Sequence, residues 1–229
     1  FGLEYGKYVY ASSFLSEGTV DVVIGKNLLY VFFEQFVGDA SRIPNVHEII
    51  HYPYLFSGFL ALVFTSINLL PIGQLDGGHV LYGLVGYQRH RMIASGVFVL
   101  FLFYAGLGAL TYFGPAKDPL WYIPLYVGFL YLSLLGMRRS RQDTLMIAMI
   151  LFSVQFLLAW IIPGIKGYPG WLLFAFLIGR FIGIEHPPCE LEESLSTERK
   201  LLGWFALAVF VVSFAPAPLE VIVVTPAVP

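Results

Sequence analysis

Long runs of apolar residues dominate the pattern along this chain, and polar residues collect in short segments between them. A bilayer core about 30 Å thick is crossed by about 20 apolar residues in a helix. Four runs are close to this length or reach it, namely residues 53–72, 92–113, 120–137 and 144–162, and two more, 171–184 and 201–214, are shorter. The pattern therefore predicts an all-α, polytopic integral membrane helical bundle with about six spanning helices.

The polar segments between the runs alternate between more and fewer positively charged residues. Segments 88–91 and 138–143 contain two and three Arg, and segment 185–200 ends on Arg199 and Lys200, whereas the two connections between them contain one Lys each. Positively charged loops tend to stay on the cytoplasmic side of a membrane, so these three segments are expected there. The segment before Pro53 is then expected on the opposite side.

The composition supports a membrane protein. Of the 229 residues, 58% are hydrophobic and 12% are charged, the net charge is -2 and the mean hydropathy is +0.76. A soluble domain is typically about 25% charged. The composition excludes a soluble enzyme and a nucleic-acid binder with a basic patch, so the expected surroundings are the lipid bilayer and no nucleic acid. One cysteine, Cys189, excludes an intrachain disulfide and a cysteine metal cage.

One polar segment, Ser66–His79, closes the first apolar run and carries candidate chemistry. Pro71 removes a backbone donor and breaks the helix, and three glycines allow a bend or a close approach of another element. Asp76 is a functional candidate because an ionisable group at membrane depth is costly. Physical reasoning leaves two interpretations open, a polar cavity that Asp76 faces and a solvated helix break at the cytoplasmic interface.

Residues 68–79, Asn-Leu-Leu-Pro-Ile-Gly-Gln-Leu-Asp-Gly-Gly-His, resemble the N-x-x-P-x-x-x-L-D-G motif of the site-2 protease family. These zinc metalloproteases cut membrane-embedded protein substrates. In the family, this Asp and the two His of an HExxH helix hold one Zn²⁺, and the Glu of HExxH is the general base. The resemblance implies that Asp76 is a Zn²⁺ ligand and that Asn68 and Pro71 shape the substrate-binding part of the site. His79 is interpreted as a supporting group rather than a ligand.

An HExxH pattern is also present, as His47, Glu48 and His51, with a proline shortly before and after it. The prolines restrict any helix there to one or two turns. A helix over 54–70 would separate its ends by about 25 Å, whereas zinc ligands meet at one ion. The charge pattern also places this segment and Asp76 on opposite sides of the membrane. We therefore predict that these three residues do not form the metal site.

The chain starts at Phe1 rather than Met, and the sequence is interpreted as the C-terminal portion of a larger protease. Residues 1–52 are then a non-cytoplasmic or interfacial connection after a missing upstream segment. Residues 53–91 carry the motif, and residues 92–229 form additional membrane helices. The general base Glu is expected upstream of Phe1, so no catalytic residue is assigned within the chain.

The predicted function is an intramembrane metalloprotease that cleaves membrane proteins with zinc-activated water. Two alternatives stay open: an ion-coupled transporter and an inactive protease-like membrane scaffold. A transporter predicts an inverted repeat, and no second Pro/Gly-interrupted carboxylate helix pairs with 66–79. Basic cytoplasmic loops and the lack of a visible targeting segment favour a multi-pass protein of the bacterial inner membrane.

Overall fold

A computed structural model describes residues 20–39, 43, 52–113, 119–189 and 193–223. Helices make up most of this part of the chain, which is consistent with the all-α prediction except for one small sheet. The chain forms two compact units, one from residues 1–67 with 208–229 and the other from residues 68–207.

The first unit contains a small antiparallel sheet that the sequence analysis did not predict. Strand β1 (Val20–Ile24) pairs with strand β2 (Leu219–Val223), with Ile24 opposite Leu219. Each strand has five residues. A search for apolar runs of bilayer length passes over such short elements, and the pairing joins segments from the two ends of the chain.

The described part of the first unit also contains two helices and the end of the last helix of the chain, residues 208–213. Helix α1 (Leu28–Phe32) continues as one π-helical turn to Val37, and the Asn27 side chain caps it by accepting from the Tyr30 N–H at 2.7 Å. Burial and the nearby Glu34 carboxylate raise the pKa of Tyr30. Helix α2 (Pro53–Asn68) starts on proline, which is favoured at a first helical position.

The second unit is a helical bundle. Its elements are α3 (Asp76–Val85), α4 (Tyr87–Phe113), α5 (Pro119–Leu134) with a 3-10 turn (Leu135–Met137), α6 (Arg141–Ile161), α7 (Trp171–Leu177) with a π-helical turn (Ile178–Ile182), and the start of α8 (Thr197–Ser213). Each of the six predicted runs therefore corresponds to a helix, across both units.

Helix length supports fewer spanning helices than the apolar pattern predicts. Among the described residues, Tyr87–Leu110 and Arg141–Ile161 are long and apolar enough to cross a membrane. The count of six spans is not confirmed and stays a prediction.

The segment 88–91, which was predicted to be a loop, lies in the first turn of α4. Gly86 ends α3 with a φ of +78°, and its carbonyl accepts from the His90 N–H within that turn.

A buried polar cluster joins three helices of the second unit. Gln155 on α6 is fully buried; its Nε2 donates to the carbonyls of Leu102 (3.3 Å) and Phe103 (3.0 Å) on α4. Its Oε1 accepts from the Tyr126 hydroxyl on α5 at 3.0 Å. Side-chain hydrogen bonds of this kind are a main source of cohesion between helices in an apolar environment.

Replacing Gln155 with Leu is expected to lower the free energy of unfolding by about 1–2 kcal/mol, because the Tyr126 hydroxyl loses its buried acceptor. Thermal unfolding in detergent measures the change. Ser153→Ala is the matched control on the same helix, since the exposed Ser153 hydroxyl donates only to the Met149 carbonyl one turn earlier. Equal melting temperatures for the two variants would contradict this role of Gln155.

Candidate metal centre

The motif forms a tight turn between α2 and α3. Helix α2 ends at Asn68, and the Ile72 N–H donates to the Leu70 carbonyl at 2.7 Å across Pro71. The Leu75 N–H then donates to the Ile72 carbonyl at 3.3 Å. The predicted helix break at the proline is thus present, and α3 begins at Asp76.

Two glycines of the motif are required by space. A Cβ on Gly77 would overlap the Leu69 carbonyl, and a Cβ on Gly78 would overlap the Gly73 carbonyl. Both glycines are buried in the first turn of α3. The backbone of the motif turn, residues 69–75, therefore packs directly against the backbone of α3, the helix that carries Asp76. This is the close approach expected from the sequence.

Asp76 is exposed on the first turn of α3. The positive end of the helix dipole favours a negative charge there. Among the described residues, no hydrogen bond or ion pair involves its carboxylate. The two other predicted site residues lie on the same turn, with Asn68 exposed and Pro71 half-buried. The Asp76 carboxylate is thus accessible, and it lies near the two residues to which the resemblance assigns a role in substrate binding.

Among the described residues, Asp76 is a candidate for one metal ligand. A carboxylate oxygen is a normal zinc ligand, so Asp76 fits the role of a single ligand. No group of three or more His, Cys, Asp or Glu residues in the described ranges is arranged to hold a metal ion. Residues 44–51, which contain the HExxH pattern with His47, Glu48 and His51, lie outside the described residues. Their exclusion from the site stays a prediction.

A cluster of three histidines includes the last residue of the motif, and no sequence pattern predicted it. It consists of His79 on α3, His90 on α4 and His186, which follows α7. Nε2 of His186 lies 2.8 Å from Nδ1 of His79, and the ring centroids of His90 and His186 are 6.1 Å apart. The interpretation of His79 as a supporting group agrees with this pairing. No local sequence signal links residues 107 positions apart.

The comparisons with known proteins agree on one family. Residues 25–110 match the model of the family described as Peptidase family M50. A relative from Oryza sativa subsp. indica, named "Probable zinc metalloprotease EGY3, chloroplastic", is 33% identical over 95 residues, which cover 33% of this chain and 16% of the relative. "Probable zinc metallopeptidase EGY3, chloroplastic" from Arabidopsis thaliana is 31% identical over 121 residues, which cover 44% of this chain and 20% of the relative.

The matched region is a small part of these relatives, since it spans a fifth or less of their length. No solved structure matches the chain. The family match includes α2, the motif turn, α3 and most of α4. It therefore includes Asn68, Pro71 and Asp76.

Proposed function

We propose, from the match of residues 25–110 to peptidase family M50, the site-2 protease family, that this chain is part of an intramembrane zinc metalloprotease. Asp76 supplies one zinc ligand, and Asn68 and Pro71 shape the place where the substrate segment lies. The observation that carries this proposal is the exposed Asp76 carboxylate, which has no hydrogen-bond or ion-pair partner among the described residues.

The general base and the histidine ligands are proposed to come from a part of the full-length protein that this chain does not contain. Two observations support this arrangement. Asp76 is exposed although the motif turn behind it is tightly packed, so a further element has room to cover it. The curated relatives are also much longer than the matched region. Zinc held in this way would supply an activated water for peptide hydrolysis.

The substrate is proposed to be a membrane-embedded protein segment, because the chain's own surface suits a bilayer. Large apolar side chains are exposed along the candidate span α6: Leu145, Met146, Met149, Ile150, Val154, Phe156, Leu157, Trp160 and Ile161. A helix surface with this many exposed apolar side chains is costly in water and favourable against lipid. The six spanning helices and the bacterial inner membrane remain part of this proposal, while the names of the relatives place those proteins in chloroplasts.

Removal of the metal tests the proposed function. Treatment of the full-length protein with a zinc chelator is expected to stop cleavage of a membrane-embedded substrate, and added Zn²⁺ is expected to restore it. Cleavage is measured on a substrate reconstituted in the same vesicles, with a chelator of calcium and magnesium as the control. Cleavage that persists after complete zinc removal would exclude a metalloprotease. A protein that neither binds zinc nor cleaves substrates would favour the inactive scaffold.

A further inference from the structure

A segment more than 100 residues downstream of the motif lies directly against it. We call Gly183–Cys189, which follows α7, the docking segment. A Cβ on Gly73 would overlap the Gly183 carbonyl, so the motif turn and the docking segment touch through their backbones. Gly73 has a φ of +57° and Gly183 a φ of +95°. Both positions thus favour glycine for conformation, and Gly73 also for space.

A histidine pair extends this contact. Nδ1 of His186 lies 2.6 Å from the Pro187 carbonyl oxygen, which can only accept a hydrogen bond, so Nδ1 carries the proton. In the neutral ring Nε2 is then the acceptor, and it receives the Nδ1–H of His79 at 2.8 Å. The arrangement fixes the tautomer of both rings.

The second turn of α3 also holds the docking segment. The Cys189 backbone N–H donates to the Tyr82 hydroxyl oxygen at 3.1 Å. The His186 ring packs against the Tyr82 ring with centroids 4.6 Å apart, and against the ring of His79 at 4.7 Å. His186 is therefore held between two side chains of the same face of α3.

Helix α4 anchors the same segment from another direction. Glu185 is buried, and its Oε2 forms an ion pair at 2.9 Å with Nε of Arg91. The preceding residue, Ile184, is completely buried, as is His90, whose ring contacts that of His186. The docking segment thus contacts both α3 and α4, so it holds the start of α3 in a fixed place relative to α4.

The contacts of the docking segment lie on both sides of Asp76. Gly73 is three residues before Asp76 and His79 is three residues after it. Because no hydrogen bond or ion pair with a described residue holds the Asp76 carboxylate, its backbone sets its place. We propose that the docking segment positions Asp76 for metal binding and that His186 is a positioning residue. This inference rests on the proposed function, since it takes Asp76 as a metal ligand.

Zinc affinity of the full-length protein, measured by competition with a chromogenic chelator, tests the inference. His186→Ala is expected to weaken zinc binding by about 10-fold, the lower end of the loss seen for partners bonded directly to a metal ligand, because His186 acts on Asp76 through His79 and α3. It should lower kcat and leave KM unchanged. His186→Gln keeps an acceptor near the position of Nε2 and should recover most of the affinity. Cys189→Ala is the control, because its hydrogen bond comes from the backbone N–H and survives.

A second variant keeps the inference testable if His186→Ala does not fold. His79→Leu removes the donor from the other side of the pair and should weaken zinc binding to a similar degree. The double variant should be no weaker than either single variant, because both remove the same hydrogen bond. Additive losses, or equal affinities for His186→Ala and His186→Gln, would overturn the role of His186.

Asp76→Ala in the same assays separates the two proposals. If this variant keeps wild-type zinc affinity and activity, the proposed function fails. If it loses both while folded His186→Ala and His79→Leu keep wild-type affinity and kcat, the proposed function stands and the positioning role fails.

Discussion

Replacing Asp76 with Ala in the full-length protein is expected to reduce proteolysis of a membrane substrate by on the order of 1,000-fold or more. A metal ion contributes several kcal/mol of charge stabilisation in the transition state, and each 1.36 kcal/mol corresponds to a factor of ten in rate. Asp76→Asn should behave in the same way, because a neutral amide of the same shape is a poor zinc ligand. Zinc content and initial cleavage rates, measured on the same preparations, check both variants.

Folding is not expected to account for this loss. The Asp76 side chain is exposed, and no hydrogen bond or ion pair ties it to a described residue. Its removal costs only the interaction with the helix N-terminus, about 0.3–1 kcal/mol. Melting temperatures of the wild type and of both variants should therefore be close, and a large fall in melting temperature would point to a structural role instead.

Glu48→Gln is the matched control for the Asp76 variants, since Glu48 belongs to the HExxH pattern that we predict to be outside the metal site. It should retain nearly wild-type cleavage. Loss of cleavage in this variant with zinc retained would show that Glu48 is the general base, and the prediction about the local HExxH pattern would be wrong.

Replacing Gly77 with Ala is the second change expected to have a large effect. The added Cβ would overlap the Leu69 carbonyl, which is backbone and cannot rotate away. The turn or the start of α3 must then shift, at an expected cost of about 3 kcal/mol in the free energy of unfolding. Because Asp76 is the preceding residue, zinc affinity should fall together with stability. Unfolding in detergent and chelator competition measure the two effects.

Gly83→Ala is the control on the same helix. Its Cβ would meet only the end of the Leu195 side chain, at 3.3 Å, and this terminal methyl can move. Alanine is also favoured over glycine in a helix by about 1 kcal/mol. The control should therefore be neutral or slightly stabilising and should keep zinc affinity. Similar losses in the two variants would argue against a steric requirement at Gly77.

Much of the helical framework followed from the sequence because it depends on local patterns. The apolar runs located helices α2 and α4 to α8, and the break at Pro71 follows from the same local rules. Helices α1 and α3 do not correspond to predicted runs, because both are much shorter than a bilayer-spanning run. The pairing of β1 with β2 did not follow, because the partner of a short strand is set by long-range contact rather than by its own residues. The first turn of α4 was mistaken for a loop because charge, rather than helical continuity, was used to set its boundary.

The sequence by itself predicted a bilayer environment, located six of the helices and indicated the candidate zinc ligand, since composition, apolar run length and a dozen-residue motif can all be read from the order of residues. Only the tertiary structure decided what surrounds that ligand. It left the Asp76 carboxylate exposed and brought His186 to within 2.8 Å of His79 across 107 positions. Contacts between distant segments depend on how the helices pack, and a local sequence pattern does not encode that packing.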